Sequence, residues 1–283
     1  MKRPSLALGY SPCPNDTFIF YALVRARLHG APEFHEVLED IETLNRMARK
    51  IELDVVKVSF HAIAYLLDNY CLLHSGGALG RACGPLVVAK QEVFVQELSG
   101  KRVAIPGELT TAALLLRLFA PDCTELIILP FHEILDAVDE GRVDAGVIIH
   151  ESRFTYADRG LCKVIDLGEW WEEETGHAIP LGGIVARRGL GDDLITEIDR
   201  SLRASVEFAH AHPDETWDYI VEHAQEMDRS VMKAHIDLYV NRFTLDYGQE
   251  GTAAIKDLLR RASDKGIVPS GTKPLFLKDG DRK

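Results

Sequence analysis

Residues 180–188 read PLGGIVARR, and well before them residues 84–90 read GPLVVAK. Each is a short apolar run ending in basic residues. The two bracket a self-contained alternation of strand-like and helix-like segments: KRVAIPG, TTAALLLRLFA, ELIIL, FHEILDAVDEG, DAGVIIH and LCKVIDL. A first series of the same kind precedes it, with SLALG, DTFIFYALVRARL, FHEVLE, TLNRMAR, LDVVKV and SFHAIAYLL. Such alternation signals α/β architecture with parallel strands. The bracketing pair then implies a discontinuous first lobe, left at the first segment and re-entered at the second: residues 1–87 and 184–283 form lobe I, and residues 88–183 form lobe II. Two antiparallel crossover strands would make the hinge, with a ligand in the cleft between the lobes.

After about residue 190 the period turns helical, in DDLITEIDRSLRASVEFAHAH, PDETWDYIVEHA, RSVMKAHIDLYVNRF and GTAAIKDLLRRAS, so the C-terminal portion is expected to be mostly helix. The last residues, GTKPLFLKDGDRK, combine an apolar anchor, Pro274 to Leu277, with a charged end expected to fray. A hydrophobic share of 46% and a charged share of 27% are those of a globular chain rather than a disordered one. Acidic residues outnumber basic ones 44 to 32 without a Lys/Arg block, which argues against nucleic acid or an anionic membrane as partner and for a small molecule. Five cysteines without C-x-x-C spacing suggest neither a disulfide framework nor zinc, and fit reduced thiols in a cytoplasm. The start, MKRPSLALGYSPCPND, has too short an apolar piece for a secretory signal, and no stretch approaches a membrane span.

Ligand sites in open α/β sheets lie beyond the carboxyl ends of the strands. In GYSPCPNDTF the loop carries Ser11, Asn15 and Asp16, with Asn15 or Asp16 placed to cap the next helix. EDIETLNR offers Asp40, Thr43 and Asn45, Thr43 reading as a helix cap. VKVSFHA puts Ser59 at a strand-to-helix junction after Lys57, either as a cap or as a holder of an anionic or carbonyl oxygen. AIPGELTTAALLL brings Thr110 and Thr111 to the start of an apolar helix, where hydroxyls, N–H groups and helix dipole could cradle a carboxylate. VDAGVIIHESRFTY ends a buried strand at His150, whose unperturbed pKa near ~6.5 suits proton abstraction. Glu151 could hold its tautomer, while Glu151 to Arg153 otherwise read as a helix start with a solvated ion pair.

Other features carry less. The eleven histidines lack metal-ligand spacing, so no metal is expected. HSGGALGRACG does not match a dinucleotide fingerprint and reads as a flexible turn before the hinge. Trp170 and Trp171 read either as cleft wall or as part of a surface helix.

The strings SPCPNDTFIFYAL, LEDIETLN, SGGALGRACGPLVVA, PGELTTA, GVIIHESRFTY and PLGGIVARR, in order over residues 5 to 277, resemble the 1,4-dihydroxy-6-naphthoate synthase family of the futalosine route to menaquinone. The resemblance implies a two-lobed periplasmic-binding-protein type II fold used for catalysis. It implies a lyase that converts cyclic dehypoxanthinylfutalosine to 1,4-dihydroxy-6-naphthoate and a three-carbon fragment, dihydroxyacetone, with neither metal nor organic cofactor. The family's proton acceptor matches His150, and its substrate-binding segments match Lys57, Val58 and Ser59, the Thr110–Thr111 pair, and Asn15 and Asp16 of the SPCPND loop. SPCPND and IIHES favour this family over its sibling, chorismate dehydratase. The remaining rival is a solute-binding protein that only captures a small carboxylate.

Overall fold

The computed structural model describes residues 5–224, 228–271 and 273–277. β1 (Leu6–Tyr10) leads to α1 (Pro14–Val24), β2 (Phe34–Leu38) to α2 (Ile41–Arg49), and β3 (Val55–Ser59) to the single turn α3 (Phe60–Ile63). β4 (Tyr70–Leu72) and β5 (Ala78–Gly80) come next, before the chain crosses to β6 (Leu86–Ala89). There β7 (Val103–Ile105) leads to α4 (Thr111–Phe119), β8 (Leu126–Ile128) to α5 (Ile134–Asp139), β9 (Ala145–Ile148) to α6 (Ser152–Thr155), and β10 (Cys162–Asp166) to α7 (Leu167–Thr175). β11 (Ile179–Arg187) returns, and α8 (Asp192–Ala211), α9 (Pro213–His223), α10 (Arg229–Tyr239), α11 (Arg242–Leu245) and α12 (Gly248–Asp264) complete the described elements.

Two sheets result. The first has the order β2-β1-β3-β11-β4, with β5 also on β11, and the second the order β10-β6-β9-β7-β8. β-branched runs such as Val55-Val56 on β3 suit the buried centre of the first sheet. The strands are not all parallel, as the alternation alone suggests. β1, β2 and β3 are parallel, as are β7, β8 and β9, but β11 runs against its three neighbours and β6 against β9 and β10.

The crossover segments also depart from expectation. They do not pair with each other as a two-stranded hinge: β6 belongs wholly to the second sheet and β11 wholly to the first, so the expected lobe limits at 87/88 and 183/184 fall inside strands. The chain instead changes sheet between β5 and β6 and again between β10 and β11. At these crossings the backbones of Gly84 and Gly168 touch, since a Cβ on Gly84 would lie 2.4 Å from Gly168 Cα. Only glycine permits so close an approach. The supposed flexible turn HSGGALGRACG is an ordered strand at its centre: Ala78–Gly80 is β5, buried against β11.

Helices α8, α9 and α10 pack on α1, and a hydrophobic cluster joins the lobes through Phe60 and Ile63 of α3, Leu114 to Leu116 of α4 and Ile255 and Leu258 of α12. The C-terminal anchor is present: Leu275 and Phe276 are buried, and Phe276 bridges Leu72 of β4. The charged end expected to fray lies outside the described residues. The five cysteines are free, four of them buried. Among the described residues no helix is long and apolar enough to cross a membrane.

Candidate functional site

A cavity lies between the two sheets. Ile41, Pro85, Ile149 and Leu181 give it apolar walls, while Ser11, Asn15, Asp16, Lys57, Ser59, Thr110, Thr111 and His150 supply polar groups. An apolar enclosure with a few placed polar groups is the usual form of a small-molecule site. Asp40, Thr43 and Asn45 do not line it, whereas every residue matched to the family's site does except Val58. Strand alternation is the reason: Lys57 and Ser59 share one face of β3, while the Val58 side chain points into the hydrophobic core.

The first lobe contributes a closed network. Asp16 does not cap α1. The N-cap position is Cys13, with Pro14 next, and Asp16 lies in the first turn. Its carboxylate is a hub instead, accepting from Ser11 Oγ at 2.7 Å, from Ser11 N at 3.3 Å, from Asn15 Nδ2 at 2.8 Å and from the Lys57 ammonium. Lys57 and Asp16 are 5% and 1% exposed, so each charge depends on the other. Thr43 is not a cap either: Asp40 caps α2, accepting from the N–H groups of Glu42 and Thr43.

Ser59 occupies the N-cap position of α3 without capping it. Its hydroxyl accepts from Asn45 Nδ2 at 3.2 Å and its N–H donates to Asn45 Oδ1 at 2.9 Å. Asn45 Nδ2 also reaches Leu109 O, and Leu109 N donates to Glu42, so α2 holds the loop before α4. Burial pushes the Glu42 carboxyl up from its ordinary value.

The two threonines do different work. Thr110 caps α4, accepting from Ala113 N at 3.2 Å and donating to Gly107 O at 2.8 Å. Thr111 joins the lobes: its hydroxyl accepts from Phe60 N at 3.0 Å and donates to Leu181 O at 2.5 Å. Both hydroxyls are thus engaged with protein. The helix start still offers charge to the cavity, because the N–H groups of Thr111 and Ala112, the first two residues of α4, have no acceptor within the helix.

His150 stands between β9 and α6 with φ at 57°, the left-handed region. Histidine is among the side chains better tolerated there, at an ordinary cost of about 1–2 kcal/mol. Its tautomer partner is not Glu151. Cys13 Sγ lies 3.6 Å from Nδ1; with the ring proton on Nδ1 and donated to the sulfur, the lone pair is on Nε2. Phe131 meets the ring edge-on at 5.1 Å, and the ring of His235 stacks on it at 6.0 Å. Desolvation holds His150 below the usual histidine range against the pull of the Glu151 and Asp16 carboxylates, so the ring is a neutral base at neutral pH. Arg153 is not in a solvated ion pair: it bonds Asp166, which is 2% exposed, at 2.5 Å and reaches Gly84 O, tying α6 to the first crossing.

Sequence reasoning missed the contact of Cys13 with His150, the bracing by Glu42 and Asn45, and the presence of His235 and Tyr239 in the cavity wall. Cys13 sits inside the SPCPND motif, so its neighbours give a signal for it; His235 has no local signal. Trp170 and Trp171 do not line the cavity: Trp171 is fully buried and Trp170 packs on Phe119. Among the described residues no group of His, Cys, Asp and Glu could hold a metal ion.

Two α/β lobes with a polar-lined cavity between them define the class, a protein of the periplasmic-binding-protein fold. The periplasmic aliphatic sulphonate-binding protein of Escherichia coli shares that fold at TM-score 0.65 and 12% identity, covering 99% of this chain and 96% of its own. A crystal structure of a protein from Archaeoglobus fulgidus matches at TM-score 0.88 and 40% identity, covering 93% of this chain and 98% of its own. A family model described as menaquinone biosynthesis matches residues 6–264. Two curated relatives, both named 1,4-dihydroxy-6-naphthoate synthase, are 50% identical: one from Streptomyces coelicolor over 275 residues (95% of this chain, 97% of its own) and one from Thermus thermophilus over 273 (96% and 99%). The chain belongs to this menaquinone-biosynthesis family.

Proposed function

We propose that the cleft converts cyclic dehypoxanthinylfutalosine to 1,4-dihydroxy-6-naphthoate and dihydroxyacetone, with His150 as general base. The observation that carries the reading is the placement of a desolvated imidazole against a cavity that Lys57 and the start of α4 also line. In this scheme the cationic side holds the substrate carboxylate. His150 Nε2 removes a proton, electron flow opens the sugar-derived ring, and a retro-aldol-like cleavage breaks the carbon–carbon bond. The proton held on the imidazolium balances the protonation of the departing fragment. Aromatisation of the second ring supplies the drive, so the protein mainly orients and deprotonates. The partner is a small aromatic carboxylate rather than nucleic acid or membrane, and five free thiols fit a cytoplasmic setting.

The test is a mass-spectrometric assay of purified protein with that substrate. The unaltered protein is expected to release dihydroxynaphthoate, also in the presence of a chelator, and His150→Asn to be slower by about 10²- to 10⁴-fold. Equal turnover by His150→Asn overturns the base assignment. Tight capture without turnover by the unaltered protein favours a solute-binding role, and loss of water from chorismate identifies the sibling activity.

A further inference from the structure

The cavity wall carries a second imidazole that this scheme leaves unused. His235, on α10, is 1% exposed and lines the cavity between His150 and Tyr239. A chain of hydrogen bonds beginning at Lys57 fixes its state. The Asp16 carboxylate, paired with Lys57, can only accept, so the Asn15 atom facing it at 2.8 Å is the amide nitrogen. Asn15 Oδ1 is therefore turned to His235 and accepts from its Nε2–H at 3.0 Å.

A neutral imidazole with its proton on Nε2 carries its lone pair on Nδ1. That atom is buried and has no hydrogen-bond partner among the described residues. Desolvation, with His150 and Lys57 nearby, keeps the ring well below the usual histidine range, so Nδ1 stays an acceptor. The neighbouring charged group is the Glu151 carboxylate, with Oε2 at 4.0 Å. It too can only accept. Two acceptors side by side cannot satisfy each other, and a buried acceptor left unpaired is costly until a donor arrives. A hydroxyl group of a ligand in the cavity that His235 lines is a donor that fits.

We propose that His235 Nδ1 reads a hydroxyl group on the polyhydroxylated, sugar-derived part of the ligand, while Lys57 and the start of α4 take its carboxylate. This assignment rests on the function proposed above and makes His235 a specificity-determining residue. Two substitutions separate its two nitrogens. His235→Gln retains an N–H for Asn15 and loses the acceptor at Nδ1; His235→Asn retains an acceptor near Nδ1 and loses the donor.

Turnover and calorimetric binding of cyclic dehypoxanthinylfutalosine are compared with binding of 2-naphthoate, an aromatic carboxylate without hydroxyls. His235→Gln is expected to lower kcat/KM about 10- to 100-fold, mostly through KM, and His235→Asn by less than about fivefold. Both variants should bind 2-naphthoate as the unaltered protein does. Unchanged KM in His235→Gln overturns the proposal, as does equal loss of 2-naphthoate binding in both variants, which would mark a purely structural role. If the unaltered protein binds the substrate without converting it, the proposed function falls, and weaker binding by His235→Gln still decides this assignment. Binding of neither ligand overturns both.

Discussion

Asp16 in the first lobe and His150 in the second face the same cavity, and they are held there in different ways. Asp16 takes four donors, one of them a buried ammonium, so its position is over-determined by charge and hydrogen bonds. His150 has one thiol at 3.6 Å, two ring contacts and a left-handed backbone. One wall is fixed by polar cross-links that fold together with their own lobe. The other is aimed by the main chain, which leaves Nε2 uncommitted, as a proton acceptor requires.

The largest effect that can break this contrast is expected at the first wall. Asp16→Asn strands the Lys57 charge in a buried site and should cost about 3–5 kcal/mol in urea unfolding. An unchanged midpoint would mean that the hub carries no charge dependence. Acid probes the imidazoles next. Burial lowers His61 to about 4 and lowers His150 and His235, so each holds a proton less readily in the folded protein than in the unfolded chain, where histidines titrate near ~6.5. The unfolded chain then binds more protons, stability rises with pH across this window, and the contribution present above ~6.5 is lost as pH falls toward the folded values. His61→Leu should flatten the dependence by up to about 1.4 kcal/mol per pH unit between 6 and 4. Parallel stability curves for the two proteins would refute the assignment.

The smallest effect concerns the backbone at the second wall. Asparagine tolerates the left-handed region and a β-branched residue does not, so His150→Val should unfold about 1–2 kcal/mol more easily than His150→Asn. Equal stability of the two variants would show that φ at this position is not a constraint.

Much of this site was legible because strands in an α/β sheet end where ligands bind. Lys57, Ser59, Thr110, Thr111 and His150 were reachable by looking at and just past the end of each apolar run, and the cavity gathers them all. The bonding partners of those residues were not legible, because they are distant in sequence. Thr111 meets Phe60 and Leu181, and Asn45 meets Leu109. His235 belongs to an ordinary amphipathic helix, RSVMKAHIDLY, whose period marks a buried face without saying that the face borders a cleft. Capping rules misassigned Asp16 and Thr43, since a first-turn carboxylate can be taken by a lysine from another strand and a neighbouring aspartate can claim the cap.

The contact of Gly84 with Gly168 has a mechanical meaning. The chain passes between the sheets twice, and at that point the two passages are separated by nothing but their own main-chain atoms. Such a point leaves no room for a side chain between the passages, and Arg153, bonded to Gly84 O and Asp166, braces it from one side. A methyl group on either glycine would be a wedge between the two passages. One passage or the other would have to shift its main chain to admit it.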